Sequence, residues 1–131
     1  MIAFDTNLLV RLAVNDDLSQ AEIAERLLDT RQVFIPRTVL LETEWVLRSV
    51  YKKSRAEISD FLDKTLITEN LVVENSREVA NALEWYGLGA DFADAMHLCM
   101  CGEARIHTFD ADFCKAAKES GLTPAFEVLI A

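Results

Sequence analysis

Short apolar runs alternate along the chain with longer segments whose apolar residues recur every three or four positions. The short runs indicate buried strands, whereas the longer periodic segments indicate amphipathic helices. The predicted strands are residues 2–4, 32–35, 71–74, 105–109 and 126–130. The predicted helices begin after residue 5 and then at residues 18, 39, 54, 76, 91 and 113. This alternation predicts an α/β fold with a parallel sheet and helices on both of its faces.

Capping residues mark three of the predicted helix starts. Asp5 directly follows the first strand, Thr38 precedes the long helix over residues 39–53, and Ser54 with Glu57 forms a capping-box pattern. Asp5 would therefore lie at the carboxyl end of its strand, the edge of a parallel sheet where ligands bind. Taken alone, Asp5 is explained by capping, and a chemical role requires other acids at the same edge.

Length and composition indicate one globular domain. The chain has 131 residues and 51% hydrophobic residues, enough for a single core and too few for two. No apolar run is long enough to span a membrane, and no signal peptide is visible, so the expected location is the cytoplasm. Cys99, Cys101 and Cys114 lack zinc-site spacing and are expected to be buried free thiols.

The formal net charge of −9 limits how the protein meets nucleic acid. It argues against binding through a broad basic surface, but it is compatible with an enzyme that contacts phosphate through metal ions. It is equally compatible with a basic partner protein. Arg11, Arg37 and Arg48 are candidates for steering phosphate, and we interpret them as solvated surface charges.

Acidic side chains recur where predicted strands end and predicted helices begin. In a parallel sheet these positions share one edge, where several carboxylates require a bound cation or a raised pKa. Oxygen ligands alone favour Mg²⁺ or Mn²⁺, and no His or Cys set suggests zinc. The acids at these positions are Asp5, Glu42, Asp91, Asp94, Asp110 and Asp112.

Some of these residues admit two interpretations. Asp91 either joins the acidic site or caps the helix that contains Asp94, and Asp112 either joins the site or caps the last helix. His97 is three residues after Asp94 and is expected to be a packed core residue rather than a ligand. Glu44 should face away from Glu42 because two residues on a helix differ by about 200°.

The two tryptophans, Trp45 and Trp85, are expected in the core rather than as base-stacking platforms.

Four ordered motifs resemble the PIN-domain family, and within it the VapC-type toxin ribonucleases of bacterial toxin–antitoxin pairs. The motifs are residues 2–7 (IAFDTN), Pro36 with residues 39–42 (VLLE), residues 91–97 (DFADAMH) and residues 108–113 (TFDADF). The resemblance covers the whole chain. It implies one PIN-like nuclease domain over residues 1–131, a three-layer α/β/α fold with a central, mostly parallel sheet.

The same resemblance implies an acidic metal site and its chemistry. Asp5, Glu42, Asp94 and Asp110 match the family's acidic residues and would be both metal ligands and catalytic residues. Thr6 would orient Asp5 or a water, with Asn7, Asp91 and Asp112 as supporting residues. The implied activity is endonucleolytic cleavage of RNA with Mg²⁺ or Mn²⁺. The implied partners are a second copy of the chain and a small antitoxin with a basic tail.

Other functions stay open at this point. An RNA-processing or DNA-repair nuclease of the same fold would act without an antitoxin. A non-catalytic interaction module would bind a cation with the same acids. A phosphatase with an aspartate nucleophile is disfavoured because Asn7 replaces the second acid of its Asp-x-Asp motif.

Overall fold

A computed structural model describes all residues, 1–131. The chain divides into two compact units, Met1–Ser76 and Arg77–Ala131. The strands pair in two hydrogen-bonded sheets, one of three strands and one of two, and every pair is parallel, as predicted. No helix combines the length and the apolar character needed to cross a membrane.

The first unit contains a parallel three-stranded sheet in the order β1-β2-β3. Its elements are β1 (Ile2–Ala3), α1 (Thr6–Ala13), α2 (Leu18–Thr30), β2 (Val33–Ile35), α3 (Arg37–Ser49), α4 (Arg55–Ile67) and β3 (Leu71–Val73). Ile2 pairs with Val33, and Val33 pairs in turn with Leu71. The Phe4 amide donates to the Phe34 carbonyl at 3.1 Å, so β-pairing continues almost to Asp5.

The core of this unit lies where the helices pack on one another and on the sheet. Helix α1 packs against α2 and α3, α3 packs against α4, and α4 packs against β3. Phe4, Leu9, Ile35, Leu40 and Ile58 are almost fully buried and fill these contacts. The apolar residues that recur at helical spacing therefore face the core, and the polar residues between them remain at the surface.

The start of α3 differs from the prediction. Thr38 was expected to cap this helix, but the helix begins at Arg37 and its N-cap is Pro36, which makes no side-chain cap. The carboxylate of Glu74, one residue past β3, accepts the Arg37 amide at 3.0 Å instead. The Glu74 carboxylate thus satisfies a helix-terminal amide that a local capping side chain would otherwise satisfy. The residues around position 37 give no sign of this distant contact.

The capping box of α4 is present as predicted. Ser54 accepts the Glu57 amide and Glu57 accepts the Ser54 amide, each at 3.1 Å. Replacing Ser54 with Ala is expected to lower the free energy of unfolding by about 1 kcal/mol, since one helix-terminal amide loses its acceptor. Urea denaturation measures this change. Ser19→Ala, an exposed position within α2, is the matched control and should leave stability unchanged or slightly higher.

The second unit contains three helices and a two-stranded parallel sheet. Its elements are α5, which starts at the last residue of the first unit (Ser76–Gly87), α6 (Phe92–Cys99), β4 (His107–Thr108), α7 (Lys115–Glu119) and β5 (Glu127–Val128). Edge-to-face aromatic pairs join Tyr86 to Phe92 and Phe113 to Phe126. The Trp85 indole donates to the Leu122 carbonyl at 3.0 Å.

Several sequence-based expectations for side chains are wrong. Helix α6, for which the apolar sequence over residues 91–104 predicted a longer helix, ends at Cys99 because a turn with Gly102 at φ +59° follows it. His97 is exposed rather than packed, since Phe92, Ala95, Met96 and Leu98 form the buried face of α6. Trp45 is 53% exposed, whereas Trp85 is buried as expected. All three cysteines are free thiols, but only Cys114 is buried.

Candidate active site

Asp5 is positioned by the end of β1 and the start of α1. It is the N-cap residue of α1, and its Oδ1 accepts the Leu8 amide at 3.1 Å. The neighbouring Phe4 is 1% exposed and anchors this junction in the core, whereas Asp5 itself is exposed. No protein donor contacts the other carboxylate oxygen. Capping and a ligand role are therefore compatible, because they use different oxygens.

A hydrogen bond joins the start of α1 to the acid on α3. The hydroxyl of Thr6, which is buried, donates to Oε1 of Glu42, which is exposed. The resemblance assigned Thr6 to Asp5 or to a water, so the observed partner is a different acid. Glu44 lies elsewhere on the helix, buried and paired with Arg48, as the helical angle predicts. Asn7 is exposed, and its side chain contacts no protein donor or acceptor.

A cleft of about 460 Å³ begins at Asp5 and lies along α1 and α2. Its lining residues are Asp5, Asn7, Leu8, Arg11, Gln20 and Ile23. Arg11 donates to Gln20 Oε1 at 2.8 Å and pairs with Asp16. The cleft therefore presents a carboxylate, amide groups and an ordered guanidinium beside apolar side chains.

The arginines considered for phosphate steering are all engaged with carboxylates. Arg11 pairs with Asp16, and their shared neighbour Tyr51 donates to Asp16 at 2.8 Å. Arg11 also donates to the Tyr51 hydroxyl at 3.3 Å, and this bond is the main cause that raises the pKa of Arg11. The bond from Tyr51 to Asp16 is the main cause that lowers the pKa of Asp16. Arg37 lies 4.0 Å from Glu74, and Arg48 lies 2.8 Å from Glu44.

The second unit brings three acids into electrostatic contact. Asp91 is the N-cap of α6 and accepts the Asp94 amide at 2.9 Å, as the capping interpretation proposed. Asp94 is half-buried, and its pKa is raised by burial first and then by the negative charges of Asp91 and Asp110. His97 acts in the opposite direction and lowers that pKa. Asp94 is thus a carboxylate whose ionised form lacks sufficient compensating charge.

Asp110 organises the turn after β4. Its Oδ1 accepts the Asp112 amide at 2.9 Å, and its own amide donates to the Thr108 hydroxyl at 3.0 Å. Asp112 does not cap α7, because the N-cap position is held by Cys114 at φ +46° without any side-chain cap. Burial, followed by the charges of Asp94 and Asp91, raises the pKa of the Cys114 thiol to about 11.

Each unit carries carboxylates of the chemical type that a hard cation binds, although no three His, Cys, Asp or Glu side chains are grouped to hold a metal ion. Asp5, Glu42, Asp94 and Asp110 all offer carboxylate oxygens, which Mg²⁺ and Mn²⁺ prefer. None of the four has a Lys or Arg nitrogen within 4.0 Å. The raised pKa of Asp94 indicates that added positive charge nearby would stabilise its ionised form.

A family model described as the PIN domain matches residues 2–119. The chain belongs to the PIN domain family. PIN domains are generally nucleases that act on nucleic acid, and they generally use divalent metal ions. No curated protein matches the chain. With the parallel three-stranded sheet and its flanking helices, the match confirms the predicted α/β/α fold class.

Two contacts near these acids were not predicted from the sequence. The Thr6–Glu42 hydrogen bond joins residues 36 apart, and the Arg37–Glu74 contact joins residues 37 apart. Only the parallel pairing of the strands brings these positions together. The position of Glu74 at the end of a predicted strand was the one available signal for its role, because strand ends in a parallel sheet share an edge.

Proposed function

We propose that this PIN domain is a metal-dependent endoribonuclease that acts in the cytoplasm as the VapC-type toxin of a type II toxin–antitoxin pair. The observation that carries the proposal is the uncompensated acidic group around Asp94, whose pKa is raised by burial, Asp91 and Asp110. Two further carboxylates, Asp91 and Asp110, act on Asp94, and a bound divalent cation would offset their combined negative charge. The family match spans both compact units, which supports residues 1–131 as one nuclease domain.

The proposal assigns the ligands residue by residue. Asp5, Glu42, Asp94 and Asp110 would hold Mg²⁺ or Mn²⁺, with Thr6, Asn7, Asp91 and Asp112 in supporting roles. The Thr6 hydroxyl fixes Oε1 of Glu42 and leaves its second oxygen for a ligand. Asp91 and Asp110 each use one oxygen to fix a backbone amide, of Asp94 and Asp112 respectively.

The chemistry follows from these roles. A bound divalent cation would supply Lewis-acid stabilisation of the phosphodiester and of the attacking water. The protein's own contribution is to fix the carboxylate oxygens before substrate arrives, which lowers the entropy cost of the reaction. The cleft beside Asp5 has amide groups on Asn7 and Gln20 that can hydrogen-bond a nucleotide next to the cleaved phosphate.

The partners follow from charge and from the family resemblance. A net charge of −9 favours a basic segment of a small antitoxin, whose side chains would neutralise the acidic group. A homodimer is the assembly that the VapC resemblance implies. The alternatives are a PIN nuclease without an antitoxin and an interaction module without catalysis.

The test is cleavage of end-labelled single-stranded RNA by the purified protein with Mg²⁺, with Mn²⁺ and with a chelator. We expect discrete internal cleavage that requires metal, and no cleavage of the same sequence as DNA. Cleavage of DNA would favour a repair nuclease, and no cleavage of either would favour an interaction module. Growth arrest on expression, relieved by a small basic protein encoded next to the gene, would identify the toxin role.

A further inference from the structure

Trp45 is an exposed aromatic side chain on the helix that carries Glu42. It is 53% exposed, and its indole N–H donates to no protein acceptor. The other tryptophan, Trp85, is 4% exposed and its indole donates to the Leu122 carbonyl. The two tryptophans therefore have opposite environments, and the packing of the chain does not account for an aromatic ring at position 45.

The face of α3 that presents Trp45 also presents the candidate ligand. At 3.6 residues per turn, Thr38, Glu42 and Trp45 lie on one side of the helix, and all three are exposed. Residues three apart on a helix have Cβ atoms about 5–6 Å apart, so Trp45 and Glu42 are neighbours on the exposed surface of α3. This spacing places a flat apolar surface within one nucleotide of the proposed cleavage chemistry.

The surroundings of Trp45 favour a nucleobase over an apolar protein surface. Of the residues three and four positions from Trp45 on the helix, Glu42, Arg48 and Ser49 are polar and only the half-buried Leu41 is apolar, so the indole is the one aromatic ring on a mostly polar surface. A single ring matches the π-face of an unpaired base, which stacks on aromatic side chains irrespective of sequence.

Electrostatics give an independent reason for such a contact. The protein carries −9 overall, and at least six of its 13 Lys and Arg side chains are within 4.0 Å of a carboxylate. Phosphate contacts therefore supply less affinity than in a basic nuclease. Stacking adds affinity that depends on neither the protein's charge nor salt.

The second unit contains a similar arrangement. Phe109 is 70% exposed and directly precedes Asp110, another of the proposed ligands. Exposed aromatic residues thus adjoin a candidate acid in each unit.

We infer that Trp45 is a stacking platform for an unpaired nucleobase of the RNA substrate, next to the position where Glu42 acts. This inference rests on the proposed ribonuclease function and adds the contact that selects single-stranded over paired RNA. Bases within a duplex are already stacked on each other and leave no face for the indole.

The binding experiment uses a 12-nucleotide oligouridylate without added divalent metal, so that no cleavage occurs. Tryptophan fluorescence of the wild type should fall on addition of this RNA, and the change should be absent in Trp45→Phe because only Trp85 remains. Trp45→Ala should weaken binding about 10-fold, whereas Trp45→Phe should retain most of it. An oligonucleotide of the same length without bases should bind wild type and Trp45→Ala equally.

The matched control is Ile67→Ala, which removes another exposed apolar side chain, 83% exposed at the end of α4. It should bind oligouridylate as the wild type does. Equal binding by Trp45→Ala and the wild type would overturn the inference while leaving the ribonuclease proposal intact. An emission shift with protein concentration alone, lost in Trp45→Phe, would instead place Trp45 in a protein interface. Wild type that neither binds nor cleaves RNA would overturn the proposed function itself.

Discussion

Replacing Asp94 with Asn is expected to reduce metal-dependent RNA cleavage by more than about 100-fold, since loss of residues that merely support a metal ligand already costs 10–100-fold. The fold should persist, because Asn fits the same volume and Asp94 makes no ion pair. Without metal, the variant should be at least as stable as the wild type. It removes a half-buried charge that burial, Asp91 and Asp110 all disfavour.

Cleavage rates and thermal melting with and without Mg²⁺ measure both effects. In the wild type, metal at a hundredfold excess over Kd should add about 2.7 kcal/mol of stability, and Asp94→Asn should lose this gain. Asp63→Asn is the matched control, because burial and a neighbouring carboxylate, Asp60, also raise the pKa of Asp63. This control should cleave RNA normally. Full activity in Asp94→Asn would remove Asp94 from the metal site.

The sequence predicted those features of the fold that depend on local chemistry. Every predicted strand and helix is present, and the parallel pairing follows from their alternation. Asp5 caps α1 and Ser54 begins a capping box, because a cap requires only the residue and the three that follow it. Periodicity was reliable for the same reason, since a helix face repeats within a few residues.

The wrong predictions have two causes, a contact with a distant residue and a neglected position on a helix. Thr38 did not become a cap because Glu74, from the end of another strand, bonds the Arg37 amide. Trp45 and His97 were expected in the core on apolar character and context, but each faces away from the buried side of its helix. Helical spacing with Leu40, Thr43 and Leu47 would have placed Trp45 opposite the core. The position of a residue around the helix axis is therefore a better guide to the burial of Trp45 than its aromatic character.

Thr43 provides a useful internal reference for the candidate site on α3. Its side chain is fully buried, and its hydroxyl has no hydrogen-bond partner. Thr43→Val should therefore raise the free energy of unfolding by about 1 kcal/mol, because it removes an unsatisfied buried hydroxyl without changing the shape of the side chain. It is adjacent to Glu42 but points into the core, so it should leave RNA cleavage unchanged.

With Thr43→Val as the reference variant, Glu42→Gln and Thr6→Val test two separate contributions to cleavage. The first tests the charge of Glu42, and the second tests the orientation of its carboxylate. Glu42→Gln retains the acceptor for the Thr6 hydroxyl but removes the charge, and we expect cleavage to fall more than about 100-fold. Thr6→Val keeps the charge but removes the donor that orients it, and we expect a loss of about 10–100-fold. Circular dichroism and melting should show both variants folded.

The double variant tests whether the two residues act together. If Thr6 acts through Glu42, then Thr6→Val should add little further loss in a Glu42→Gln background, because the oriented charge is already absent. Cleavage rates of the four proteins in this cycle measure the coupling. Fully additive losses would mean that Thr6 acts on Asp5 or a water, as the family resemblance implied. Wild-type activity in both single variants would place the Thr6–Glu42 hydrogen bond in the folding of α1 and α3 alone.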